Sequence, residues 1–189
     1  MKEVEILVKV KDDKDEALEK LSKFNFAGKR EILDIYFYDK KRKSLQPKNN
    51  RLIKCFRLRK KDKKNYITYK VDKFDSLGKW MYSEEEETEI KDFDIALKIF
   101  SLLNLTPLVE IDNIKYTYHT KEYEIVLEDV KNLELFLEVE KLKVGDKEDV
   151  VVVKRKILNF IKSLDIKTGD ELNSGKPELM LNKQKNQIQ

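Results

Sequence analysis

The sequence predicts an α+β fold that is mainly β: an eight-stranded antiparallel closed barrel, with charge in its lumen and helices packed outside. Three observations carry this reading. Apolar and polar residues alternate with a period of two in about eight short segments. Most connections between them are too short for the crossovers that parallel strands require. The charges on the polar face change sign from strand to strand.

Residues 3–10 set Val4, Ile6, Val8 and Val10 on one face, and Glu3, Glu5, Leu7 and Lys9 on the other, as a strand does. Residues 13–26 place Ala17, Leu18, Leu21 and Phe24 along one helical stripe. Residues 32–38, rich in aromatic and β-branched side chains, predict a second strand. After a basic loop over 40–50 come strands over 51–59 and 66–71, joined by a polar hairpin connection at 60–65. A turn at Ser76-Leu77-Gly78 leads to a fifth strand over 80–90. Asp92 or Asp94 is placed to cap a helix running to Leu103, which Pro107 closes off. Strands over 109–118, 122–130 and 134–141 follow, then a helix over 147–164 carrying Val150, Val153, Ile157, Phe160 and Ile161. With no fixed-period repeat and no break in composition, residues 1–181 read as one domain. Residues 182–189 have nothing to bury and are expected to form a disordered tail.

The charged share, 40%, is well above the usual quarter or so. Its near balance, 40 basic against 36 acidic residues, argues against a surface built to coat nucleic acid. One cysteine, Cys55, allows no internal disulfide and suits a reducing compartment. No apolar run approaches the ~20 residues that span a bilayer, and the acidic start lacks the character of a signal peptide. The expected location is cytoplasmic.

Alternation alone also describes a single sheet with one solvated face. Segregation by sign favours closure. Arg57 and Arg59 share one face of their strand, and Lys70 lies with Thr68 and Tyr66 on the next. Glu85, Glu87 and Glu89 follow, then Glu122, Glu124 and Glu128, then Glu134, Glu138 and Glu140, with Glu3 and Glu5 at the start. Eight strands suffice for a barrel, and opposite signs in one lumen offset much of the cost of burying either. Clustered carboxylates suit Mg²⁺ or Mn²⁺, and clustered Arg and Lys suit phosphate oxygens. Together they describe a site for a metal–polyphosphate complex.

Glu3, Glu5, Glu138 and Glu140 are the metal candidates, since the two pairs share a spacing and lie on charge-faced strands. Arg57, Arg59 and Lys70 are the phosphate candidates, and cross-strand ion pairing with the same glutamates is compatible with that role. Glu87, Glu89, Glu124 and Glu128 are additional acidic lumen residues. His119 reads as a surface residue in a turn, Cys55 as a small buried hydrophobe, and Lys40-Lys41-Arg42-Lys43 as a solvated loop. No phosphate-binding P-loop or dinucleotide fingerprint is present.

An ordered set of motifs resembles the CYTH superfamily, which includes class IV adenylyl cyclases and thiamine triphosphatases, and especially its archaeal adenylyl-cyclase-like branch. Glu3-Val4-Glu5 with Lys9 resembles the opening Glu-x-Glu-x-Lys signature. Asp34-Ile35-Tyr36-Phe37, Arg57-Leu58-Arg59, Thr68-Tyr69-Lys70, Glu87-Thr88-Glu89, Glu124 to Val130, Phe136 to Glu140 and Pro177-Glu178-Leu179 follow in the family's order. The resemblance covers residues 2–181. It implies an eight-stranded triphosphate tunnel, acidic residues that bind Mg²⁺ or Mn²⁺, and basic residues that bind triphosphate. It adds Lys9 and Lys115 to the phosphate candidates. There are departures: Leu7 stands where a lysine is expected, Asn113 and Lys115 replace a Lys-x-Arg, and Gly175-Lys176 replaces a Ser-Tyr. The activity so implied is hydrolysis of an organic or inorganic triphosphate. Cyclisation of ATP to cyclic AMP and pyrophosphate is the alternative, and binding of a nucleotide or polyphosphate without turnover is a third. The expected partner is a small-molecule triphosphate rather than nucleic acid or a membrane, in a monomer or a homodimer.

Overall fold

A computed structural model describes residues 2–49, 51–145 and 147–186. The chain runs β1 (Lys2–Glu3), β2 (Glu5–Val10), α1 (Lys14–Leu21), β3 (Asn25–Asp39), a 3₁₀ turn (Lys43–Leu45), β4 (Lys54–Lys61), β5 (Lys64–Phe74) and β6 (Trp80–Ile90). It continues through α2 (Phe93–Leu102), β7 (Leu105–His119), β8 (Tyr123–Val130), β9 (Leu135–Lys141), α3 (Val150–Ser163), β10 (Thr168–Glu171) and α4 (Lys176–Asn186). Asp92 caps α2 by accepting the Ile95 N–H at 2.9 Å, and Asp149 caps α3 by accepting the Val151 N–H at 2.8 Å. Asp62, Asn104 and Asn132 hold positive φ between β4 and β5, between α2 and β7, and between β8 and β9. Asn and Asp tolerate that left-handed turn conformation better than most residues.

The ten strands form one curled antiparallel sheet, a half-barrel, in the order β1-β6-β5-β4-β3-β7-β8-β9-β2-β10. Its two ends meet in sequence. β1 and β2 are successive parts of residues 2–10, interrupted at Val4, yet β1 pairs with β6 and β2 pairs with β9. That break and the short β10, which pairs with β2, raise the strand count from the expected eight to ten.

The helix expected over 13–26 stops at Leu21, because Asn25–Glu31 joins β3 and pairs with β7 from Ile114 to His119. Long-range pairing there overrides the local helical stripe. β7 likewise starts before Pro107, and the β3·β7 register shifts between Tyr36 and Phe37, where Pro107 has no N–H to offer. Residues 182–186, expected in the disordered tail, belong to α4; residues 187–189 lie outside the described residues.

Two of the three apolar clusters lie on one face of the sheet. Val4, Ile6, Val8, Ile125, Leu137 and Val139 pack against Ala17 and Leu21 of α1 and Val153, Ile157 and Ile161 of α3. Ile35, Phe37 and Leu58 pack against Ala96 and Phe100 of α2. The third holds residues of opposite parity, Leu7, Tyr36, Ile111 and Phe136, with Met180 and Leu181 of α4. Helices α1, α2 and α3 therefore cover the apolar face, while α4 sits with the charge-bearing one. Among the described residues no helix is long and apolar enough to cross a membrane. Leu137 is wholly buried between β8 and α3. Replacing it with alanine is expected to cost about 2–5 kcal/mol of stability, read as a fall in the midpoint of urea unfolding.

Candidate functional site

The charge-bearing faces of the strands line a cavity of about 590 Å³. Its cations are Arg57, Arg59, Lys70, Lys115 and Lys176, and its lining carboxylates are Glu3, Glu5, Asp34, Asp72, Glu85, Glu86, Glu87, Glu124, Glu138, Glu140 and Glu178. Tyr36, Trp80, Leu7 and Cys55 complete much of the wall.

Strand register organises these charges. Asp34 of β3 stands opposite Arg59 of β4, and Arg59 holds both its oxygens, Nε to Oδ1 at 2.7 Å and Nη2 to Oδ2 at 2.8 Å. Arg57 donates to Thr68 Oγ1 at 3.0 Å, to Glu85 Oε2 at 3.3 Å and to Glu87 Oε2 at 3.1 Å. Lys70 of β5 faces Glu85 of β6 and meets its Oε1 at 2.8 Å. Lys115 of β7 faces Glu128 of β8 and meets it at 2.9 Å. These pairs leave the Arg57 and Arg59 guanidinium groups and the Lys70 ammonium charged at any ordinary pH. Burial opposes the charge of Lys70, but Glu85 and Glu5 raise its pKa well above the usual lysine value.

The other wall is different. Glu5 of β2 and Glu124 of β8 both stand opposite Glu140 of β9. Burial, reinforced by neighbouring carboxylates, pushes Glu3 up to about 7, Glu5 to about 8 and Glu140 to about 9. Glu85 and Glu138 behave oppositely. Burial would raise them too, but Lys70 and Arg57 hold Glu85 down at about 2, and Lys176 and Lys115 hold Glu138 well below the usual range. One side of the cavity is thus neutralised by pairing, and the other holds carboxylates in excess of its cations.

Of the predicted metal candidates, Glu3, Glu5, Glu138 and Glu140 all line the cavity. Among the described residues no three histidine, cysteine, aspartate or glutamate side chains stand as a group that could hold a metal ion. Arg57, Arg59, Lys70 and Lys115 line the cavity, but Lys9 is exposed and pairs with Glu134. Glu87 and Glu124 line it, Glu124 with its Oε2 2.8 Å from His119 Nε2. Glu128 is fully buried beneath Lys115 and Lys176. Glu89 is exposed and pairs with Lys64 at 2.8 Å. Asp34, Tyr36, Asp72 and Lys176 went unrecognised as site residues. Asp34 and Tyr36 share strand parity, which could have revealed them. Lys176 is carried by a helix that the alternation pattern does not detect.

A curled antiparallel sheet bearing such a cavity defines a β protein with a mixed-charge pocket. The CYTH domain model matches residues 1–175, and the chain belongs to that family. It is 33% identical over 168 residues to a protein of Methanocaldococcus jannaschii named "Putative adenylate cyclase", covering 88% of this chain and 91% of that one. The structure of the PH1819 protein from Pyrococcus horikoshii is similar with a TM-score of 0.80 and 25% identity, over 96% of this chain and 99% of that one. A Hippeastrum protein described as a "putative adenylyl cyclase" with a dominant triphosphatase activity shares the fold at 17% identity and a TM-score of 0.62, over 92% of each chain.

Asp34 supplies a test of the paired wall. Burial disfavours its charge, but Arg59 outweighs that and lowers its pKa below the unfolded value of 3.8. A lowered folded-state pKa contributes stability above the unfolded pKa and loses it as pH falls through the folded one. Asp34→Asn should therefore destabilise the protein markedly at pH 7 and much less near pH 2. Urea denaturation at both pH values reads the difference.

Proposed function

We propose that the chain closes its sheet into a triphosphate tunnel and hydrolyses an organic or inorganic triphosphate there with a divalent metal ion. The observation that carries this reading is the cavity's division into two walls. Arg57, Arg59, Lys70 and Lys115 offer charge-assisted donors to phosphate oxygens. Eleven carboxyl groups line the cavity against five cationic groups, so carboxylates stay in excess even where Glu3, Glu5 and Glu140 hold protons. A polyanion held there therefore needs cations brought with it.

The oxygen donors of the acidic wall are of the type such a cation takes, and their side chains would have to draw together to share one ion. Glu3, Glu5 and Glu140 are hard oxygen donors whose mutual repulsion a divalent charge would relieve. With Glu138 they are the residues that would hold Mg²⁺ or Mn²⁺. The ion would supply charge neutralisation and polarisation of a phosphoryl oxygen. The protein's own residues do the positioning. Arg57 and Arg59, fixed by Thr68 and Asp34, present guanidinium groups in set orientations. Lys70 and Lys115 add point charges along the same wall. Water attacks the terminal phosphorus, the bond to the bridging oxygen breaks, and orthophosphate leaves with the shortened phosphate.

The name of the Methanocaldococcus relative favours a second reading in the same cavity. The 3′-hydroxyl of ATP would attack the α-phosphorus, forming cyclic AMP and releasing pyrophosphate. Binding without turnover is the remaining alternative. The substrate is a small molecule, and a cytoplasmic location suits it.

Product analysis decides among these. Purified protein with Mg²⁺ or Mn²⁺ is expected to release orthophosphate from tripolyphosphate, ATP or thiamine triphosphate. Glu138→Gln and Arg57→Ala should each lower the rate by about 100-fold or more, the scale of losing one preorganised charge. Cyclic AMP with pyrophosphate would install the second reading, and binding with no product from any of the three would overturn both.

A further inference from the structure

The cavity's fifth cation comes from no strand. Lys176 is the first residue of α4, and its side chain is 12% exposed. Its Nζ lies 2.7 Å from Glu128 Oε1 and 2.5 Å from Glu138 Oε2, and it lines the cavity beside Lys115, which pairs with the same two carboxylates.

The anchoring of α4 does not depend on this ammonium. Glu178 Oε1 accepts the Leu52 N–H at 2.9 Å, Lys183 Nζ donates to the Asn132 carbonyl at 2.7 Å, and Met180 and Leu181 are buried with Leu7. A helix so held has no need of a buried lysine to dock, and burying an ammonium is costly unless it is paired.

Leu7 links these facts. In the β2·β9 register it stands directly opposite Glu138, and its side chain packs with the apolar face of α4. The β2 position facing Glu138 therefore contributes no charge, and the nearer of the two ammonium groups that reach Glu138 arrives from α4, at 2.5 Å against 3.8 Å for Lys115 of β7. Glu138 belongs both to the proposed metal set and to the Lys176 pair, so Lys176 stands at the border between the acidic wall and the phosphate-binding one.

Resting on the triphosphate reading above, we infer that Lys176 is a phosphate-binding residue of this cavity. In contact with the polyphosphate, its ammonium exchanges Glu138 for a phosphate oxygen while keeping Glu128. The C-terminal helix thereby becomes part of the binding site, and the cation missing from β2 is supplied by α4.

The test measures affinity for the imido-bridged analogue of tripolyphosphate, which resists hydrolysis, by calorimetry with Mg²⁺. Lys176→Met is expected to weaken binding by about 10–100-fold, the range for one charge-assisted hydrogen bond. Lys176→Arg, which keeps the charge, should stay within about threefold. Nitrogen NMR of the lysine ammonium groups in the unaltered protein gives a readout independent of folding: the Lys176 signal should move when the analogue is added. Wild-type affinity in Lys176→Met, or an unmoved Lys176 signal while wild type binds, would overturn this inference and leave the triphosphate reading standing. If wild type binds no analogue, both fall together.

Discussion

Charges on the inner face of a curled sheet lose much of their hydration, so each needs an opposite charge at a fixed position. Here the β-ladder provides that position. Asp34 and Arg59, Lys70 and Glu85, and Lys115 and Glu128 are direct cross-strand partners, so backbone register and charge pairing are one arrangement. A slip of one residue would turn every one of these groups to the opposite face and bring Val4, Ile6 and Val8 inward. The apolar face under α1, α2 and α3 and the charged face therefore specify the same register from two sides.

The pattern changes at the Glu5–Glu140–Glu124 row, where strand register sets three glutamates side by side across β2, β9 and β8. A fold selected for stability alone would interleave a cation there. The raised pKa values of Glu3, Glu5 and Glu140 show that the cost is borne locally, next to a wall where the opposite was done. Concentrating electrostatic tension at one place in an otherwise compensated structure is the usual mark of a site built to receive something.

The faces were legible in the sequence because side-chain parity is a strict property of strands. The contents of the cavity were legible less far. Lys9 and Glu89 have the right parity yet lie outside it, because parity fixes the face and not how far along the strand the cavity extends. Asp34 and Tyr36 stood out only as part of a motif, because Asp34 is the one charged residue between Ile32 and Tyr38 and forms no run of like charges. α4 has weak amphipathicity, a polar second half and Lys176 at its start, so the signals that reveal a helix were faint. The early end of α1 and the length of β3 depend on pairing with β7, residues about ninety positions away, which no local pattern records.

The division of the N-terminal segment between β6 and β9 has a consequence for biosynthesis. Residues 2–10 leave the ribosome before the other strands of this sheet, but their partners on β9, Phe136 to Glu140, are made more than a hundred residues later. Until then the segment, with Val4, Ile6, Val8 and Val10 on one side, has no strand to pair with on that edge. Contacts so distant in sequence close slowly, and an unpaired apolar strand is where a nascent chain is most exposed to aggregation. The glutamates at positions 3 and 5 put like charges on that waiting strand, which discourages two such segments from pairing with each other before β9 arrives.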